Sequence, residues 1–196
     1  MNIYDFDGTL YDGDSTFDFM RFLFGRYPRI ALRMPYIVGE FTKYKCRLQD
    51  KTDFKEKLYR VFAAVPDMER EVRLFWESHD DKLKKYYKTT RTETDVVISA
   101  SAEFLITPAC RELGITRVIG SRVDMTTGKY TGLNCHGAEK IVRFRALYPD
   151  EPIEEFFSDS HADDPLARVA KRAWMVKGER LSHWVFPEEK QKGKRK

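Results

Sequence analysis

A doubly wound α/β core with helices on both faces of a parallel sheet, interrupted by an inserted helical segment, is the fold class predicted by the sequence. Three observations predict it. Short apolar runs at 2–6, 95–98 and 153–157 are each followed at once by polar or acidic residues, as buried parallel strands are. From about residue 93 onward such runs alternate with helical stretches, the pattern of βα units. Between about 12 and 92 there is no alternation, and apolar residues recur at helical spacing instead.

The first run, 2–6, ends in acidic residues and so presents them at a strand's carboxyl end. In the inserted stretch, Phe17, Met20 and Phe24, and later Leu58, Val61, Phe62 and Val65, mark helical faces, with Pro28, Pro35 and Pro66 as breaks. The division expected is a discontinuous core, 1–11 joined with 93–196, around a helical cap at 12–92. After the strand at 95–98 come a helix at 102–113 closed by Gly114, a short strand at 117–120 and a hairpin around 125–132. A helix at 138–147, the strand at 153–157, a helix at 165–169 and a last strand at 173–176 complete the core.

At 196 residues the chain can bury roughly 70% of its unfolded surface. The formal charge of +4 is mild, and residues 190–196, with five cations and no apolar side chain, read as a solvated tail rather than a nucleic-acid arm. Cys46, Cys110 and Cys135 show no CxxC spacing and fit a reducing compartment. A motif beginning at residue 5 leaves no room for a signal peptide, and no run nears the ~18 apolar residues of a membrane span, so the expected location is cytoplasmic.

Four motifs carry chemistry. In Asp5-Phe6-Asp7-Gly8-Thr9-Leu10, two carboxylates one residue apart at a strand end repel each other unless a cation lies between them, and a divalent metal is the obvious candidate. Val96-Val97-Ile98-Ser99-Ala100-Ser101 ends a strand in hydroxyls and small residues, which lets backbone N–H groups approach a phosphate; Ser99 or Ser101 also suits a helix cap. Lys140 follows Gly137 near a helix start, where a lysine is commonly a solvated surface residue. An acidic cluster, Ser158-Asp159-Ser160-His161-Ala162-Asp163-Asp164, follows the third strand and also reads as a helix cap. His161 beside it reads as facing solvent.

Taken together and in this order, the motifs resemble the signature of the haloacid dehalogenase (HAD) superfamily, in its phosphoserine phosphatase-like branch with a helical cap on a HAD-like, Rossmannoid core. The resemblance covers about 115 residues of the core. It implies a Mg²⁺-dependent phosphomonoesterase working through an aspartyl-phosphate on a small phosphorylated metabolite. Carried over by position, Asp5 is the nucleophile and Asp7 the acid/base. Ser99 and Ala100 bind phosphate, and Lys140 clamps it. Asp5, the Asp7 carbonyl and Asp159 hold the metal, and Asp163 is a ligand or steadies the metal's waters. An Asp at position 7 favours phosphatase over dehalogenase chemistry.

Substrate choice falls to the cap. The branch reads its substrate's amine with a Glu soon after the first motif; Asp14 stands there, one methylene shorter. Its carboxylate-binding arginine falls near 58–61, where Arg60 is one residue, ~100° of helix, out of phase. Both departures point away from phosphoserine itself. Residues 21–47 carry seven cations and one acid, Glu40, interleaved with aromatics. That is a snorkelling cap surface or one that lies on an anionic membrane, the second in keeping with a lipid-phosphate substrate. A non-catalytic phosphate-binding protein is the remaining alternative, and oligomeric state is not readable.

Overall fold

The computed structural model describes residues 1–187, and the basic tail at 190–196 lies outside them. The first strand, β1 (Asn2–Tyr4), is shorter than the run 2–6. Past Tyr4 the chain winds around the Phe6 carbonyl, which accepts from the amides of Thr9, Leu10 and Tyr11 at 3.2, 2.8 and 3.0 Å. Asp5 still donates its amide to the Phe157 carbonyl at 2.9 Å, and the turn carries Asp7 beyond the ladder.

Helices fill the stretch to the second strand: α1 (Ser15–Arg26), α2 (Pro28–Ala31), α3 (Met34–Lys45), α4 (Lys51–Tyr59), α5 (Met68–Glu77) and α6 (Tyr87–Thr90), with 3-10 turns at Arg60–Ala64 and Asp80–Lys82. Pro28 and Pro35 fall in first turns, where the missing N–H costs nothing. Asp14, Asp50 and Asp67 cap α1, α4 and α5 by accepting from the amides of Phe17, Asp53 and Arg70. The buried stripe of α1 is Ser15, Thr16, Phe19, Met20 and Leu23. Phe17, expected inside, is 44% exposed.

The second strand, β2 (Val96–Ala102), runs on through Ser99 to Ala102, past the expected 95–98, with a register break against its neighbour. Next come α7 (Glu103–Glu112) and β3 (Arg117–Ser121). The hairpin expected at 125–132 is a loop closed by one bridge, Val123 to Tyr130, with Gly128 at φ +72. There follow α8 (Ala138–Leu147), β4 (Glu155–Ser158), α9 (Asp164–Ala167) and β5 (Arg172–Lys177). The final strand, β6 (Arg180–His183), was not expected; a two-residue turn opened by Gly178 at φ +57 returns the chain antiparallel along β5.

The sheet order is β3-β2-β1-β4-β5-β6, parallel except for β6. Side-chain alternation explains why the central strands carry apolar residues on both faces. Tyr4, Val97 and Phe157 point into one cluster with α1, α4, α5 and α7, while Ile3, Val96, Ile98 and Phe156 point into another with α8 and α9. Tyr4 and Phe157 stack at 4.5 Å, and each fully buried aromatic contributes about 2 kcal/mol. The chain leaves β1 toward β2 and β3 and returns at β4, so the crevice between the carboxyl ends of β1 and β4 is the switch point. Among the described residues no helix is long and apolar enough to cross a membrane.

Candidate active site

A cleft of about 380 Å³ opens at that switch point and is lined by Asp5, Asp7, Asp14, Ser99, Ala100, Lys140, Asp159 and Asp163. Every site residue expected from the sequence is therefore brought together except Arg60. That side chain lies outside the cleft, 3.6 Å from Glu56. The sequence places Arg60 one residue out of phase, and α4 moreover ends at Tyr59, with the chain tightening into a 3-10 turn at Arg60.

The β1 loop presents Asp5, whose carboxylate meets the Lys140 ammonium at 2.9 Å. Lys140 is 2% exposed rather than solvated, because it shares the buried face of α8 with Phe144 one turn on. Its Nζ also donates to Asp163 at 2.7 Å, and Asp163 accepts from Ser158 Oγ at 2.8 Å. Burial opposes the Lys140 charge, but Asp5 and Asp163 more than offset it and raise its pKa. Burial in turn pushes the Asp5 pKa up, against the pull of Lys140.

Asp7 is aimed by two donors, the Ser15 amide at 2.7 Å and the Ser101 hydroxyl. Ser101 Oγ is 3.2 Å from Thr16 Oγ1, itself 3.2 Å from the Tyr59 hydroxyl, so a buried chain of hydroxyls runs from α4 to Asp7. Ser99, buried midway along β2, accepts from the Ser101 amide at 3.1 Å.

Asp159 follows β4, its amide donating to Thr9 Oγ1 at 3.0 Å. Its carboxylate packs on Gly8, whose φ of +69 and lack of a Cβ admit it. Burial and the neighbouring Asp5 charge push Asp159 up to about 6. His161 turns to Asp164 at 3.0 Å and to the Trp184 ring, off the cleft lining.

Sequence reasoning missed three contributors. Lys55 of α4 lines the cleft and donates to the Ala100 carbonyl at 3.3 Å. Lys84 donates to the Gly8 carbonyl from behind the loop, and burial lowers its pKa. His136 enters the lining from the loop before α8. A lysine in a polar helix gives no sequence signal of burial.

Five carboxylates and two ammonium groups line this cleft. A phosphate dianion entering such a site needs more positive charge than Lys55 and Lys140 supply. Among the described residues no three His, Cys, Asp or Glu side chains converge as a metal cage. Asp5 and Asp159, both in the lining and near enough for the Asp5 charge to raise Asp159, instead fit a hard cation held by one or two carboxylates and water, the habit of Mg²⁺.

The chain matches the model of the haloacid dehalogenase-like hydrolases over residues 3–168. Protein CicA of Caulobacter vibrioides is 26% identical over 183 residues, 85% of this chain and 81% of that one. Histidinol-phosphatase of Neisseria meningitidis is 35% identical over 133 residues, 59% and 56% of the two chains. Of solved structures, a protein of unknown function from Bordetella pertussis has a TM-score of 0.74 at 20% identity, covering 88% of this chain and 87% of that one. A phosphoserine phosphohydrolase-like protein from Francisella tularensis reaches 0.56 at 16%, covering 88% and 86%. At these identities the two structures show a shared fold. With the family matched across both β1 and β4 and the carboxylates of their loops gathered in one cleft, the chain belongs to the haloacid dehalogenase-like hydrolases.

Proposed function

We propose that the protein hydrolyses the phosphate monoester of a small metabolite through a phosphorylated Asp5. The observation that carries this reading is the pairing of Asp5 with the buried Lys140 ammonium at 2.9 Å in a cleft at the switch point. An Asp5 oxygen attacks phosphorus while the P–O bond to the alcohol breaks, and Asp7 passes its proton to the departing oxygen. Water then adds to the same phosphorus, giving its proton back to Asp7 as the aspartyl P–O bond breaks and phosphate leaves. Lys140, Ser99 and the amides near Ala100 hold the non-bridging oxygens. Mg²⁺ on Asp5, the Asp7 carbonyl and Asp159 would supply charge neutralisation of the phosphoryl group. Asp163 fixes Lys140 from the far side.

Residues 12–92 serve in this reading as a cap that chooses the leaving group, since Asp14 and Lys55 reach the cleft from that segment. Asp14 suits a cationic amine on the substrate, in keeping with the histidinol-phosphatase relative. The cytoplasm suits three cysteines that are all free, two of them buried. Hydrolysis of a panel of phosphomonoesters tests the reading. Turnover must vanish with EDTA and with Asp5→Asn; turnover surviving Asp5→Asn would refute the covalent route.

A second reading, a lipid phosphate taken from an anionic membrane, is favoured by one observation. Leu32, Tyr36 and Val38 are 80%, 50% and 54% exposed amid exposed cations, while Glu40 is buried between Lys43 and Lys57. Co-sedimentation with anionic but not neutral vesicles supports it, and equal partitioning from both counts against it.

A further inference from the structure

Lys55 is only 4% exposed, yet it lines the cleft. An ammonium has three donors, and one of them is committed, to the Ala100 carbonyl at 3.3 Å. That carbonyl already accepts from Ser121 Oγ at 2.9 Å, so it does not depend on the lysine. Among the described residues no carboxylate lies within ion-pair distance of Lys55, whereas Lys140 in the same cleft is held by Asp5 and Asp163. A buried charge without a counter-charge is costly and is normally paired. Here the residue lines the cleft with two donors uncommitted among the described residues.

The position is also held in advance. One turn before Lys55, Thr52 Oγ1 accepts from Asn134 at 3.0 Å, which fixes α4 against the loop ahead of α8. Lys140 already pairs with Asp5 and Asp163, so a second cation in the same cleft, carried by α4 and bonded to Ala100 rather than to either carboxylate, is placed for a different anion. We propose that Lys55 binds a second anionic group, a carboxylate or a second phosphate, on the alcohol portion of the substrate. This rests on the phosphatase reading and narrows it to esters whose leaving group is itself an anion. The cleft of about 380 Å³ accommodates a small alcohol of this kind.

Calorimetric binding of unreactive phosphonates to the Mg²⁺-loaded protein tests this without needing turnover. Three probes are compared: propylphosphonate, 3-phosphonopropionate and propane-1,3-diphosphonate. One charge-assisted hydrogen bond predicts that the carboxylate or the diphosphonate binds about tenfold tighter than propylphosphonate. Whichever of the two gains names the anion. Lys55→Met, close to lysine in shape, should bring that probe to within about twofold of propylphosphonate, and Lys55→Arg should restore the preference. Should Lys55→Met fail to fold, Lys55→Gln is measured in its place. Equal binding of all three probes by the wild type overturns the proposal, as does a preference that survives Lys55→Met. An equal loss for all probes means Lys55 holds the transferring phosphate, which also overturns it. Failure to hydrolyse any ester would sink the phosphatase reading alone, because the binding contrast still reads Lys55.

Discussion

Replacing Gly8 with alanine should separate the geometry of the cleft from the stability of the fold. A Cβ built on Gly8 lies 2.5 Å from the Asp159 carboxyl carbon, and the residue sits at φ +69. Carbon–carbon contacts settle near 3.5 Å, so Asp159 or the loop must move by about 1 Å. The loop is poorly placed to give way. Its Gly8 amide donates to the Gly13 carbonyl at 2.9 Å, its Gly8 carbonyl accepts from Lys84, and Thr9 holds the Asp159 amide. The left-handed backbone costs an alanine about 1 kcal/mol, a modest loss. Displacing Asp159 by about 1 Å costs on the order of a hundredfold in rate, which is the larger effect. Steady-state hydrolysis of p-nitrophenyl phosphate with Mg²⁺ titrated, beside a thermal melt, measures both. The expected result is kcat/KM down about a hundredfold and half-saturation shifted to higher Mg²⁺. Gly120→Ala is the comparison, since its Cβ would meet Glu103 Cα at 2.6 Å, away from the cleft. It should lower the melting temperature with no change in Mg²⁺ dependence. A folded Gly8→Ala enzyme with wild-type turnover and Mg²⁺ dependence would refute the reasoning.

Lys140→Met leaves two buried carboxylates without their cation and should cost about 3 kcal/mol in urea unfolding of the metal-free protein, with turnover reduced more than a hundredfold; a loss under 1 kcal/mol would contradict the pairing. Asp159, raised to about 6, holds its proton to higher pH folded than unfolded, so its contribution favours the fold at acid pH and fades as pH climbs from about 4 through 6. Metal-free stability should fall across that window, and Asp159→Asn should flatten the slope; an unchanged slope in the variant speaks against it. Ser101→Ala removes one of the two donors aiming Asp7 and should lower kcat about tenfold, most for esters with poor leaving groups, with KM little altered. Arg60→Ala should leave kcat/KM within about twofold, since that side chain lies outside the cleft.

The parallel strands were legible because a strand covered on both faces carries consecutive apolar residues, as Ile3-Tyr4 in β1, Val96-Val97-Ile98 in β2 and Phe156-Phe157 in β4 do. Strand β6 was not, since at the sheet's edge Arg180, Ser182 and His183 face solvent and leave no apolar run to read. The cleft residues were legible for a related reason. Loops after β1 and β4 place Asp5 and Asp159 by chain order alone, once the topology is known, and β2 itself carries Ser99. Residues that reach the cleft from helices lack that advantage, because their direction depends on rotation about an axis. Lys55 and Arg60 lie five positions apart, about 140° of rotation on an α-helix, and the tightening after Tyr59 changes the phase again. A lysine in a polar helix reads as solvated, so burial of Lys55 emerges only when Thr52 and Ala100 are seen to hold α4 against the sheet's end.

The same helices also govern Asp7. The first turn of α1 donates the Ser15 amide to one Asp7 oxygen, and Thr16 meets the Ser101 hydroxyl that donates to the other. The Tyr59 hydroxyl, at the end of α4, closes the chain on Thr16. Asp14 caps α1 one residue before Ser15, and Lys55 lies one turn before Tyr59, so each helix carries a cleft residue beside a residue of the Asp7 network. A shift of either helix that changes what the cleft accepts must therefore also move a support of Asp7. In the proposed reaction, this is a physical route by which recognition of the leaving group and delivery of its proton stay in step. It follows from helix geometry: residues three or four apart share one face, so a side chain reaching substrate and one reaching the core can be neighbours on the same turn.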